Sequence, residues 1–156
     1  MYGTKIPLIV KECIEEIEKR GVDLDGIYRV PGKAAEILQI KKMFDEEMHG
    51  DFTNFEDLHA IAGALKLYFR ELPIPLITFD NYDLALIAAR CSTIEETMET
   101  VKVILSRLPL AHYNSLRVLI KHLHKVQEHK LKNRMDSKSL AVILSLIHIS
   151  EPTRPY

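Results

Sequence analysis

The sequence is poor in cysteine, in long apolar runs and in net charge, and each shortage excludes a class of protein. Cys13 and Cys91 are too few for a disulfide framework, and without a hydrophobic leader they predict reduced thiols in an intracellular, cytoplasmic protein. Charges interrupt every apolar run, so none reaches the roughly 20 residues that span a bilayer. A net charge of -1 gives no overall attraction to nucleic acid or to an acidic membrane surface.

The chain does have enough apolar residues, 47% of 156, to bury one core, which predicts a single domain. These residues recur at spacings of three and four, and no stretch alternates with period two. The sequence therefore predicts an all-α fold, a single-domain bundle of about seven helices. The predicted helices begin near Ile6, Lys33, Phe55, Asn81, Ser92, Ala111 and Ser137, and the first six end near Gly21, Gly50, Arg70, Arg90, Leu108 and His129.

Three of these helices carry apolar faces that we expect to be buried. The faces are Leu58, Ile61, Ala62, Leu65 and Phe69 in the third helix, Ile94, Met98, Val101, Leu105 and Leu108 in the fifth, and Leu116, Leu119, Ile120, Leu123 and Val126 in the sixth. Ser92 followed by Glu95 predicts a capping box at the start of the fifth helix.

The segment GIYRVPGK, residues 26–33, has the glycines and the lysine of a phosphate-binding loop. Such a loop needs four residues between its glycines, a hydroxyl residue after the lysine, and a preceding strand. Here five residues separate Gly26 from Gly32, Ala34 follows the lysine, and the preceding segment is an amphipathic helix. These departures argue against a nucleotide site in this chain.

The arginine of the same segment offers a different interpretation. Arg29 lies between apolar Tyr28 and Val30, in a turn closed by Pro31 and Gly32, so its neighbours can hold the loop while its guanidinium projects outward. The alternative is an arginine that binds a carbonyl or a carboxylate within the domain.

A second group of polar residues shares one stripe of the third predicted helix. His59, Gly63, Lys66 and Arg70 are spaced by four, three and four residues, beside the apolar stripe. Gly63 leaves room for close approach there. The alternative is a solvated face with an arginine that satisfies the last carbonyls of the helix.

Together, four separated motifs resemble the RhoGAP domains, the GTPase-activating domains that act on Rho proteins. They are GIYRVPG at 26–32, GALKLYFRELPIPL at 63–76, LP and LRVLIKHLHKV within 108–126, and NRMDSKSLAVI at 133–143. The resemblance covers nearly all of residues 6–143. Its first helix and its AIAGALKLYFRELP run are most similar to the breakpoint-cluster-region and chimaerin branches.

The resemblance implies a GTPase activator rather than an enzyme in its own right. Its partner would be a GTP-bound Rho-family GTPase, Rac-like in preference, which holds the nucleotide and magnesium itself, so this chain needs no cofactor. Arg29 falls on the family's catalytic arginine finger, and Lys66, Arg70 and Asn133 fall on GTPase-binding positions. The domain is expected to be monomeric, with membrane recruitment left to other domains. The alternative is a non-catalytic GTPase-binding module or an inactive truncated fragment.

The end of the chain, LSLIHISEPTRPY, departs from the family pattern. RhoGAP domains continue after LAVI with Phe-Gly-Pro, where this chain has Leu144 and Ser145. The segment also resembles the translation of a sequencing adapter. We therefore predict a RhoGAP domain at 1–143, incomplete at its C-terminus, and a non-native tail at 144–156.

Other candidate sites have weaker support. His122 and His124 point to different sides of one helix and no carboxylate pair accompanies them, so no metal site is predicted. The lysines of KHLHKVQEHKLKNR are read as a solvated helical face rather than as a contact for nucleic acid or lipid. Cys91 lacks the histidine and asparagine arrangement of a nucleophilic thiol.

Overall fold

The computed structural model describes residues 5–47 and 49–149, which form eight α-helices, one 3₁₀ turn and no strand within those ranges. The helices are α1 (Leu8–Arg20), α2 (Ala34–Glu47), α3 (Leu58–Arg70), α4 (Tyr82–Arg90), α5 (Ile94–Arg107), α6 (Leu110–Glu128), α7 (Lys130–Asn133) and α8 (Ser137–Ile149), with the 3₁₀ turn at Phe79–Asn81. The all-α prediction is confirmed, and the short α7 is the helix added to the seven predicted.

Helix α3 lies at the centre of the bundle, where it packs against α1, α2 and α8. Its predicted apolar face is confirmed, since all five of those residues are buried together with two alanines. The helix begins at Leu58, later than predicted, because the Asp57 side chain accepts a hydrogen bond from the backbone N–H of His59 and caps that end.

Helix α1 packs against both α3 and α6 through one buried stripe. Cys13 belongs to this stripe, and burial, with a smaller contribution from the charge of Glu12, raises the pKa of its thiol to about 12. The thiol therefore stays protonated, as expected for a cysteine that only fills the core.

The predicted inner face of α5 is only partly confirmed, because Leu108 is buried and Leu105 is half-buried while its other three residues are exposed. Ile94, Met98 and Val101 expose 74%, 54% and 38% of their surface, whereas Ile104 is buried. The helix packs on α4 through a neighbouring stripe, in which the Thr97 hydroxyl donates to the carbonyl of Ala88 at 3.5 Å. Two adjacent stripes of α5, the predicted one and the one that contains Thr97, have the same periodicity. The predicted stripe is the more apolar, but its residues Ile94, Met98 and Val101 are exposed rather than packed on α4.

The predicted capping box at the start of α5 is displaced by one residue. Thr93, rather than Ser92, is the N-cap, and its hydroxyl accepts from the backbone N–H of Glu96 at 3.1 Å.

The predicted buried face of α6 is wrong at Ile120. Ile120 was predicted to be buried and is 45% exposed, while His122, two residues on, is buried.

Helix α8 continues beyond position 143 to Ile149, and Ile143 and Leu144 pack partly against the core. The predicted boundary between domain and tail therefore lies inside a helix and stays a prediction. The rest of the predicted tail, from position 150, lies outside the described residues. Among the helices that the structure describes, none is long and apolar enough to cross a membrane.

Candidate functional site

The connection between α1 and α2 contains the Arg29 loop, which we define as residues 26–32. Gly26 adopts a left-handed conformation, φ 72°, and its carbonyl accepts hydrogen bonds from the N–H groups of both Arg29 and Val30 at 2.8 Å. This tight turn buries Ile27 and Tyr28 and leaves Arg29 exposed. The prediction that neighbours fix the loop and leave Arg29 exposed agrees with this geometry, whereas the outward direction of its guanidinium stays a prediction, since Nη2 lies close to Gly26.

Tyr28, the residue before Arg29, also has a positive φ, 74°. A left-handed backbone costs a residue with a side chain about 1–2 kcal/mol, so surrounding contacts must hold it. One of them comes from Lys66 on α3, whose Nζ donates to the Tyr28 carbonyl at 2.7 Å. Burial, and then the nearby charge of Arg70, lower the pKa of Lys66. Lys66 thus binds the carbonyl that directly precedes Arg29.

The far end of the loop rests on the start of α3. A Cβ added to Gly32 would lie 2.4 Å from the Cα of Ala60, so only glycine permits this approach. Next to it, the Asp57 carboxylate accepts from the Lys33 N–H at 3.4 Å as well as from the His59 N–H at 3.0 Å. One carboxylate therefore joins the end of the loop to the helix that carries Lys66.

Asn133, at the end of α7, holds the near end of the loop. Its backbone carbonyl accepts from the Gly26 N–H at 2.8 Å. Its side-chain amide donates to the carbonyls of Val22 and Val126, and its side-chain oxygen accepts from the Met135 N–H. The side chain is fully buried. Its role in GTPase binding stays a prediction, and a buried side chain could take part only indirectly, by holding the loop.

Arg70 lies one helical turn beyond Lys66 on α3 and is exposed. The structure therefore brings Arg29 and Lys66 together, places Arg70 on the same helix as Lys66, and places Asn133 beneath the loop. In the described ranges, no three or more His, Cys, Asp or Glu side chains are grouped to hold a metal ion.

Sequence reasoning missed a buried polar chain that reaches the loop from α6 and α1. The Tyr28 hydroxyl lies 2.5 Å from Nε2 of His122, and Nδ1 of His122 lies 2.7 Å from the Glu18 carboxylate. Lys125 binds the other oxygen of Glu18 at 2.9 Å. We call Glu18, His122 and Tyr28 the relay. The available signal was a histidine within the apolar face of α6, between Leu119 and Leu123.

We expect the relay to make the folded state sensitive to acid. The hydrogen bond from His122 is the largest cause that lowers the pKa of Glu18 below its usual 4.5, with Lys125 adding to it against the opposing effect of burial. A carboxylate with a lowered pKa stabilises the fold above 4.5 and loses that contribution as pH falls through the lowered value. We expect Glu18→Gln to reduce the free energy of unfolding at pH 7, and this difference from the unmodified chain to shrink below pH 4.

Urea titrations of both proteins between pH 7 and pH 3 measure this difference. Glu47→Gln, at the exposed end of α2, is the matched control and should change little at either pH. A deficit of Glu18→Gln that stays constant down to pH 3 would show that the Glu18 charge does not stabilise the fold.

The chain is similar in sequence and in fold to known proteins. A profile of the RhoGAP domain matches residues 7–152. The chain is 41% identical over 145 residues to Beta-chimaerin of Rattus norvegicus and 42% identical over 145 residues to N-chimaerin of Homo sapiens, with 91% of this chain covered in each case. It spans 49% of the first relative and 32% of the second. The crystal structure of human Rho GTPase activating protein 15 matches with a TM-score of 0.89 and 33% identity, over 97% of this chain and 72% of that one.

Proposed function

Because the chain belongs to the RhoGAP domain family, we propose that it accelerates GTP hydrolysis by a Rho-family GTPase, to which it supplies Arg29 in trans. The observation that carries this proposal is the contrast within the loop. Arg29 is exposed, while the residue before it has its carbonyl bound by Lys66 and its side chain buried. The backbone that carries Arg29 is thus fixed before a partner binds, so little backbone entropy remains to be lost on binding.

The guanidinium can do what GTP hydrolysis needs. As the bond to the γ-phosphoryl group breaks, negative charge grows on the oxygens between the β- and γ-phosphates. A planar guanidinium donates to two oxygens at once and keeps its charge near neutral pH, so it stabilises that charge without any proton transfer. The GTPase itself supplies the nucleotide site, the magnesium ion and the attacking water, which is why this chain acts as an activator.

The other predicted residues take supporting roles in this proposal. Lys66 holds the backbone before Arg29, and exposed Arg70 contacts the GTPase surface beside the nucleotide. Asn133 holds the start of the loop from below. The GTP-bound form is the partner, because only that form carries the γ-phosphate on whose transfer Arg29 would act. We also propose that the domain is monomeric and cytoplasmic, as expected from the sequence.

A Rac-like preference is the finer part of the proposal, and similarity to the chimaerins supports it. Single-turnover hydrolysis of GTP by Rac, Cdc42 and Rho, each with and without this chain, tests both parts. We expect an acceleration of about 10³ or more with the preferred GTPase, and the largest effect with Rac. Binding without acceleration of any of the three would favour the non-catalytic GTPase-binding module instead.

A further inference from the structure

We propose that Glu18, His122 and Tyr28 are positioning residues, which hold the loop backbone at Tyr28 in its left-handed conformation and thereby aim Arg29. This inference rests on the proposed function of Arg29 and deepens it. None of the three touches the reacting atoms. Their contribution is to fix where the guanidinium can go before the partner arrives.

Tyr28 is held at both ends. Its carbonyl accepts from Lys66 on α3, and its hydroxyl meets His122 on α6. Between these contacts its ring is buried and packs edge-on against the imidazole, with ring centroids 5.5 Å apart. The peptide unit that leads to Arg29 is thus fixed relative to two helices that are far apart in the sequence.

The ionised carboxylate of Glu18 sets the direction of the hydrogen bonds in the relay. An ionised carboxylate only accepts, so Glu18 requires that Nδ1 of His122 be the donor. In the neutral imidazole this leaves Nε2 as an acceptor, which suits the hydroxyl hydrogen of Tyr28. Burial raises the pKa of Tyr28, so the hydroxyl keeps that hydrogen. Each member of the relay therefore sets the orientation of the next.

The backbone of Tyr28 links the relay to Arg29. A tyrosine at positive φ is strained, and such a residue persists only when its surroundings determine it. If the hydroxyl loses its partner, the backbone at Tyr28 can relax toward negative φ, and the peptide bond that begins Arg29 then turns with it. Misplacement of a reacting group by about 1 Å costs up to 10²-fold in rate, so a small rotation here is sufficient.

Two substitutions break the relay with little change in shape, and one replaces it. Tyr28→Phe removes the hydroxyl and keeps the ring, and His122→Leu removes both ring nitrogens. His122→Gln keeps one donor and one acceptor on the side chain. With this chain and Rac, we expect the maximal single-turnover rate at saturating activator to fall about tenfold for Tyr28→Phe and more for His122→Leu. The half-saturating concentration should stay within about twofold, and His122→Gln should recover most of the rate.

The matched control is Ile40→Val, a small change at a buried position of α2. We expect it to lower thermal stability by an amount comparable to the loss of one buried hydrogen bond, and it lies on α2, which carries none of the three relay residues. If Ile40→Val slows the reaction as much as Tyr28→Phe, the effect comes from stability alone and the positioning role is wrong.

A second measurement is independent of any GTPase. Limited trypsin digestion, followed by mass spectrometry, reports the rate of cleavage after Arg29, which rises when the loop loses its fixed conformation. We expect Tyr28→Phe to be cleaved there several times faster than Ile40→Val. Equal cleavage rates and equal turnover would overturn the relay.

Arg29→Ala, measured in the same assay, distinguishes the role of Arg29 from the role of the relay. If that variant stimulates Rac fully, the proposed function of Arg29 fails, and the digestion alone decides whether the relay orders the loop. If Arg29→Ala is inactive while Tyr28→Phe and His122→Leu match the unmodified chain, the proposed function stands and the positioning inference is wrong.

Discussion

Arg29→Ala is expected to remove nearly all stimulation of GTP hydrolysis. An arginine supplied in trans is worth about 10³ to 10⁵ in rate, or roughly 4 to 7 kcal/mol of the barrier, and alanine supplies none of it. Arg29→Lys should also lose most of the effect, because an ammonium group cannot donate to two oxygens from one plane. Single-turnover hydrolysis by Rac at saturating activator measures the loss, with circular dichroism to confirm that the helices remain.

Binding distinguishes this outcome from general damage. Arg29→Ala should still bind a GTPase loaded with a transition-state mimic, because Arg70 remains, but it should bind more weakly than the unmodified chain. Arg90→Ala is the control, since Arg90 is an exposed arginine at the end of α4. It should leave both hydrolysis and binding unchanged. Stimulation by Arg29→Ala at the level of the Arg90→Ala variant would refute the arginine mechanism.

The parts of the fold that the sequence predicted well are those where one signal dominates. Helix α3 has a single apolar stripe, and the five residues predicted for it, the first being Leu58 and the last Phe69, are buried as expected. Helix α5 has two stripes of similar period, and the pattern alone does not say which one meets α4. Ile94 and Met98 were therefore assigned to the core although they face away from it.

The candidate site shows the same division between local pattern and distant contact. Arg29, Lys66 and Arg70 could be picked out because each lies in a short motif. The relay could not be, because its contacts join residues 94 and 104 positions apart in the sequence. His122 gave one hint, a polar side chain inside an apolar stripe, and the partners that explain it lie on α1 and in the Arg29 loop.

Asn133 illustrates a different limit. The motif identifies its position, but a motif does not say whether a side chain touches the partner or holds another residue in place. In the structure its amide satisfies three backbone groups within the domain, and its carbonyl binds Gly26. A buried amide with all its groups satisfied orders the chain around it, which suggests why this residue type suits the base of the Arg29 loop.

Gly32→Ala is expected to have the largest effect on stability. Its new methyl group would lie 2.4 Å from both N and Cα of Ala60 and 2.6 Å from the carbonyl carbon of His59. These are backbone atoms at the start of the central helix, so they cannot move aside as a side chain could, and the loop must lift instead. We expect a loss of about 2 to 3 kcal/mol, or roughly 5 to 10 °C in melting temperature, by calorimetry. Stimulation should fall as well, because lifting the loop displaces Arg29.

Gly63→Ala is the matched control for stability, because it makes the same chemical change inside α3. There the added methyl group would meet Cδ1 of Ile37 at 2.6 Å, the end of a flexible side chain that can turn away. Alanine also favours the helix over glycine by about 1 kcal/mol, which offsets the repacking. We therefore expect the melting temperature of Gly63→Ala to stay near that of the unmodified chain. A loss in Gly32→Ala no greater than in Gly63→Ala would mean that the loop does not depend on close contact with α3, and that its other contacts, with Lys66, Asn133 and the relay, hold Arg29 in place.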